Sequence, residues 1–245
     1  SLVTSWCAGA MDRRIKDERS RSLTAGILVL LSCVVSGAGA AATARPNVVL
    51  ILVDDLDSKL GSMAYMPETR AVLSAAGTSF SNYIISTALC CPTRATILVG
   101  QYAHNHGVLT VSEPEGGFLR VDQLGLEQST LAVALQQAGY RTALLGKYFN
   151  GYPAVYEPEH VPPGWDEWSG VSLPQGYAQF DYQLSHNGEL IQHHSTPADY
   201  LGDVLTKEAL AFVDRTAREQ APFFLYLAPI GPHRPAEPSP KHAAW

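Results

Sequence analysis

From Asn47 to Val53 the chain reads Asn-Val-Val-Leu-Ile-Leu-Val, then breaks abruptly into Asp54-Asp55-Leu56-Asp57. A run that is apolar at every position, rather than at every second one, predicts a strand buried on both faces. Such a strand requires a covering layer on each side, which confines the chain to layered α/β architectures. The downstream pattern supplies candidate layers. Pro67 to Ala76 predicts a helix stopped by Gly77, and Thr78 to Ile85 a second strand. Ser129 is placed to cap a helix through Ala138, ended by Gly139, with a buried strand over Arg141 to Leu145. Phe180 to Gln192 predicts a hairpin turning at Asn187-Gly188. Leu201 to Ala217 has helical apolar spacing and leads into a strand from Phe223 to Ala228. The expected fold is an α/β layered domain with a central, mostly parallel or mixed sheet. In that class, functional groups gather just beyond the carboxyl ends of strands.

The first 44 residues read differently. A basic stretch after Met11 (Arg13, Arg14, Lys16, Arg19, Arg21) precedes an apolar run, Ala25 to Val35, and small residues through Ala44. That order predicts a secretory signal peptide. A signal anchor is the alternative; the small side chains of Gly37 to Ala44 make a poor membrane span and weigh against it. Ser1 to Ala10 precede the Met and read as an upstream edge. Residues 45–245 then carry 12 Lys/Arg against 20 Asp/Glu. This acidic balance argues against a dedicated nucleic-acid binder. With 46% hydrophobic and only 16% charged residues, the chain is neither a disordered tail nor a coiled coil. Beyond the leader only Cys90 and Cys91 remain, and sequence neighbours cannot close an ordinary disulfide. Two thiols in a secreted domain are unusual and direct attention to what surrounds them.

Two segments carry chemistry of their own. Asp54-Asp55 follows the buried strand, and two like charges in a sheltered crevice call for a cation or cationic side chains nearby. Carboxylate oxygens suit Ca²⁺ or Mg²⁺, although an Asp pair at a strand end also serves as a loop or helix cap. The second segment is Cys90-Cys91-Pro92-Thr93-Arg94. Pro92 suits a first helical turn, which places Cys90 at the helix N-terminus and Arg94 one turn later. Free N–H groups and an Arg at one helix start make an anion site. Cys90 as a plain thiolate nucleophile is one reading, but the neighbouring Asp pair would repel it.

Cys90-Cys91-Pro92-Thr93-Arg94 with Ile97-Leu98-Val99-Gly100 resembles the sulfatase signature, Cys-x-Pro-Ser-Arg followed by Leu-Thr-Gly. Asn47 to Asp55 resembles the opening strand and calcium-binding Asp pair of that family. Gly146-Lys147-Tyr148 is similar to its Gly-Lys-Tyr/Trp segment, and Pro232-His233-Arg234-Pro235 to its Pro-His-x-Pro loop. Pro162-Pro163-Gly164-Trp165-Asp166 and His104-Asn105-His106 resemble the N-acetylglucosamine-6-sulfatase and algal arylsulfatase branch. The chain departs from the pattern at Thr93 for Ser, at Val99 for Thr, and at Phe149, where many arylsulfatases have His.

The resemblance implies an alkaline-phosphatase-like fold and hydrolysis of sulfate esters on an aryl compound or a sulfated glycan. It implies that Cys90 is oxidised to formylglycine by the formylglycine-generating enzyme during secretion. The aldehyde hydrate would attack sulfur and later release sulfate with return of the aldehyde. It assigns Ca²⁺ ligation to Asp54, Asp55 and the modified Cys90. Arg94 would hold the hydrate, while Lys147 and His233 would bind sulfate oxygens or assist the leaving oxygen. Asn150 would bind substrate in place of the missing His. The resemblance also implies that the chain is the N-terminal part of a sulfatase, not competent alone. A second calcium pair and a second substrate Lys would lie further along. Location follows the secretory route: secreted, cell wall or periplasmic space, or a lysosome-like compartment. The alternatives are a non-catalytic sulfatase homologue and a phosphatase or phosphodiesterase of the same superfamily. Lys147 could also be a surface lysine and His233 a loop histidine. His104, His106, His193 and His194 read as structural or exposed rather than as ligands.

Overall fold

The computed structural model describes residues 45–153, 160–172 and 177–242. The expected signal segment, residues 1–44, with Cys7 and Cys33, lies outside them, as does Trp245. Strands β1 (Val48–Ile51), β2 (Arg141–Gly146), β3 (Glu167–Val171), β4 (Gln183–His186), β5 (Glu189–Gln192) and β6 (Phe223–Ala228) form one sheet. Its order is β1-β6-β2-β3-β4-β5. The β1–β6, β6–β2 and β2–β3 pairs are parallel, and β3–β4–β5 is antiparallel. The sheet is therefore mixed. The parallel half brings the carboxyl ends of β1, β2 and β6 to one edge.

Alternation along the central strands assigns the two faces. Leu144 of β2 and Phe224 and Tyr226 of β6 point to one core, with Trp165, Trp168 and Phe118. Helices α2 (Cys90–Val99), α3 (Ala103–His106), α4 (Gly117–Gln123) and α5 (Leu131–Gln137) lie on that side. Ala143 and Leu145 of β2 and Phe223 and Leu225 of β6 point the other way, toward Leu201, Leu205 and Phe212. Those three lie on one stripe of helix α6 (Leu201–Glu219), whose spacing matches the sequence expectation. The β4–β5 hairpin turns at Asn187 and Gly188 with φ of 50° and 90°. Positive φ at both positions is why Asn-Gly was legible as a type I′ hairpin.

Four expectations are corrected. The first strand is not buried on both faces: it sits at the sheet edge, paired only with β6, and Val49 and Ile51 are 50% and 47% exposed. Leu50 and Leu52 pack against a core, whereas α6 packs on β2 and β6 instead of β1. Thr78 to Ile85 forms no strand, because no sheet edge pairs with it among the described residues; Phe80, Tyr83 and Ile84 are exposed. Pro67 to Ala76 winds as helix α1 (Pro67–Thr69) and then as a π-helical turn over Arg70–Ser74, exposed at every residue but the half-buried Thr69. The helix cap near residue 130 is Thr130 rather than Ser129. Its side-chain oxygen accepts from the Val133 N–H at 3.4 Å, while Ser129 belongs to the preceding 3₁₀ turn.

Candidate active site

The cleft is built where three parallel strands end. Asp54 lies beyond β1 and forms an isolated parallel bridge with Pro232, just beyond β6. Lys147 follows β2 directly, its N–H donating to the Ala228 carbonyl at 2.9 Å. Helix α2 starts with Cys90 after Leu89 in extended conformation, and Pro92 occupies the first turn as expected. Cys90 is partly exposed at the cleft. Arg94, one turn on, is 2% exposed and folds back into the same space.

A buried charge cluster lies beneath Cys90. Asp54 Oδ2 accepts from Lys147 Nζ at 2.6 Å, and Asp54 Oδ1 accepts from Arg94 Nη2 at 3.3 Å. Arg94 Nη1 also donates to the Lys147 carbonyl at 2.8 Å and to the Tyr226 hydroxyl at 3.4 Å. Cys90 Sγ stands 3.7 Å from Asp54 Oδ1. Burial by itself would raise the Asp54 carboxyl, but the Lys147 hydrogen bond and the charges of Lys147, Arg94 and His233 hold it below its ordinary value. Burial would lower Lys147, and its bond to Asp54 outweighs that and raises it. Both directions describe one ionised pair.

The remaining expected residues close around this cluster. Asp55 adopts φ 62°, and its exposed carboxylate lies 3.6 Å from His233 Nε2. His233 Nδ1 is 2.7 Å from the Arg234 carbonyl. A carbonyl only accepts, so Nδ1 carries the hydrogen and Nε2 faces the cleft side. Asn150 donates its backbone N–H to Cys91 Sγ at 3.2 Å and receives the thiol hydrogen on Oδ1 at 3.2 Å. Cys91 is fully buried, and burial pushes its thiol up to about 11. It is a structural neighbour of the cleft, distinct from the partly exposed Cys90. Asp54, Asp55, Cys90, Thr93 and Arg94 line an open cleft of about 350 Å³, within the size range of small-molecule sites, roughly 300–1,000 Å³.

Other sequence candidates fall elsewhere. His106 is buried, bonded to Thr96 Oγ1 and to the Val108 N–H, and so is structural. His104 stacks on Tyr102. His193 stacks on Tyr182 and faces Asp199 at 3.5 Å, while His194 is exposed. Two site residues escaped the sequence reading. Tyr226 sits inside an apolar strand, and Tyr177 sits in a loop with no motif around it. Tyr177 stacks on His233 with ring centroids 4.0 Å apart and accepts from Lys147 Nζ at 3.1 Å and Asn150 Nδ2 at 2.5 Å. No local sequence signal could have found either.

The donors fit calcium in kind and fall short in number. Asp54 and Asp55 offer hard oxygens, yet calcium takes about 6–8, and no group of three His, Cys, Asp or Glu able to hold a metal occurs among the described residues. Both Asp54 oxygens already face Lys147 and Arg94.

Known proteins resemble this chain over most of its length. The sulfatase family model matches residues 46–244. Human N-acetylglucosamine-6-sulfatase is 38% identical over 220 residues, covering 88% of this chain and 39% of that protein. The arylsulfatase of Volvox carteri is 32% identical over 211 residues, covering 84% of this chain and 32% of that protein. A protein solved in complex with its substrate D-glucosamine-2-N,6-O-disulfate superposes with a TM-score of 0.64 at 27% identity, over 81% of this chain and 37% of that one. The chain spans less than two-fifths of the length of each of these proteins. A match over nearly every residue from 46 onward, to family and fold alike, leaves one conclusion: the chain belongs to the sulfatase family.

Proposed function

We propose that the protein hydrolyses sulfate esters, of the arylsulfatase or glucosamine-6-sulfatase kind, at the cleft above Asp54. The observation that carries this reading is the convergence of Cys90 with Arg94 and Lys147 over one buried carboxylate. Oxidised to formylglycine in the secretory pathway, residue 90 would supply a hydrated aldehyde as the nucleophile. A Ca²⁺ ion held in part by Asp54 and Asp55 would draw charge from the sulfate oxygens.

The chain's own residues do the rest. Arg94 and Lys147 present fixed cationic donors where negative charge develops, and such preorganised charge is usually the largest catalytic contribution. Asp54 keeps both side chains extended toward residue 90 and keeps Lys147 charged. With Nδ1–H committed to the Arg234 carbonyl, Nε2 of His233 in its imidazolium form is the atom placed to hand a proton to the departing alcohol oxygen, leaving the neutral ring with its hydrogen on Nδ1. Asn150 is fixed by Cys91 at the same edge. Sulfated sugars are the favoured substrate class, since the solved relative carries a disulfated glucosamine. Residues 1–44 are proposed to direct the protein into the secretory pathway.

The test uses full-length protein secreted from cells that hold the formylglycine-generating enzyme. Intact peptides containing residue 90 should be lighter by exchange of sulfur and two hydrogens for one oxygen. A chromogenic aryl sulfate and a glucosamine 6-sulfate should be turned over. Cys90→Ala should abolish turnover, and Cys91→Ala should retain most of it. Equal loss from the two changes, or full turnover with unmodified Cys90, would refute the assignment.

A further inference from the structure

The Tyr177 hydroxyl is placed in a hydrogen-bonding position that leaves its hydrogen without an acceptor. Its oxygen receives two donors, Lys147 Nζ at 3.1 Å and Asn150 Nδ2 at 2.5 Å. Asn150 turns Oδ1 toward Cys91 Sγ at 3.2 Å, a thiol that also reaches the Val111 carbonyl at 3.9 Å, and turns Nδ2 toward Tyr177. An ammonium has no lone pair and an amide nitrogen does not accept, so neither neighbour can take the phenolic hydrogen. With both lone pairs used, the O–H must point away from both nitrogens. Among the described residues nothing accepts it.

The ring is held as firmly as the oxygen. It stacks on His233, with centroids 4.0 Å apart and planes 13° apart, and Lys147 Nζ lies 4.5 Å from its centroid. The hydroxyl thus stands beside the Lys147 ammonium, which uses one hydrogen on Asp54 and one on Tyr177 and has a third left over. Two adjacent unspent hydrogens, one cationic and one neutral, match a group that only accepts.

We propose that Tyr177 is a substrate-binding residue whose hydroxyl donates to a non-bridging sulfate oxygen beside Lys147. This rests on the sulfate-ester reading above and extends it to a residue outside every motif. A neutral donor here adds hydrogen bonding without deepening the positive charge over Asp54.

The experiment is titration of the full chain with inorganic sulfate by calorimetry, calcium chloride present, beside steady-state kinetics on an aryl sulfate. Tyr177→Phe keeps the stacked ring and removes only the hydroxyl. It should weaken sulfate binding about tenfold, which corresponds to about 1.4 kcal/mol, and raise KM by a similar factor with a smaller change in kcat. Should that variant fail to fold, 3-fluorotyrosine at position 177, a stronger donor of nearly the same size, should tighten sulfate binding severalfold. Unchanged sulfate affinity in Tyr177→Phe, or in the fluorinated protein, overturns the proposal while leaving the sulfate-ester reading intact. A full-length wild-type protein that neither binds sulfate nor hydrolyses the ester overturns that reading, and the proposal with it.

Discussion

Asp54 and Lys147 have side chains only 6% exposed and 2.6 Å apart, so each holds the other in its charged form. A buried pair of this kind is a weak source of net stability, because desolvation offsets much of the attraction, but breaking it is costly. Lys147→Met leaves the Asp54 carboxylate with Arg94 alone at 3.3 Å. The expected loss is about 3–5 kcal/mol of unfolding free energy, measured by urea denaturation. Adding Asp54→Asn to that variant should recover part of the loss, since the stranded charge is then gone. Lys147 was legible because it lies in a motif directly after an apolar strand. Its partner was not, since 93 positions separate the two. Tyr177 and Tyr226 entered the site with no motif at all; what recruits them is a hydroxyl at the right place, which composition does not encode.

At the scale of elements, the junction between β2 and Lys147 is the tightest in the site. Gly146 has φ 112°, and an added Cβ would lie 2.2 Å from the Ala228 carbonyl oxygen on β6. That carbonyl also accepts the Lys147 N–H at 2.9 Å, so the glycine lets β6 approach closely enough to aim Lys147 at Asp54. Gly146→Ala combines backbone strain with a steric overlap and should destabilise by roughly 2–5 kcal/mol. Thermal unfolding would show the loss, and sulfate-ester turnover should fall further than stability alone requires, because Lys147 is displaced. Element identity was well read wherever local chemistry decides it. The apolar stripe of α6, the Asn187-Gly188 turn and Pro92 in the first turn of α2 each act within a few residues. The reading failed for Thr78 to Ile85, where a mixed polar, aromatic and β-branched segment has no strand edge to pair with among the described residues.

For the molecule as a whole, the two faces of the sheet bury a set of tyrosines whose hydroxyls titrate late. Burial raises Tyr148, Tyr182 and Tyr226, the charge of Glu127 adding to Tyr148, and burial pushes Tyr152 up to about 12. A tyrosine whose folded value lies above its unfolded value near 10 binds its proton more tightly when folded. Its contribution is fully present below pH 10 and is lost as pH rises toward and through 12. Stability should therefore fall steeply above about pH 10. Tyrosinate absorbance should rise in two stages, exposed residues first and the buried ones together with unfolding, followed by circular dichroism. A single smooth titration with no accompanying unfolding would contradict the burial described here.

What the sequence determined by itself was the α/β class and most of its helices and strands; it also singled out Asp54, Cys90, Arg94, Lys147 and His233, which the structure brings to one place. These are legible because periodicity, capping and turn chemistry are local, and because the strand ends carry their charged residues in short motifs. Only the tertiary structure decided that β1 lies at the sheet edge with Val49 and Ile51 exposed, that Asp54 spends both oxygens on Lys147 and Arg94, and that Tyr177 bridges Lys147, Asn150 and His233. An apolar pattern states that a face can be covered, but the order of strands in the sheet chooses which element covers it. In the same way a side chain's type states what it can bond, while its partner is whichever distant group the sheet brings within about 3 Å.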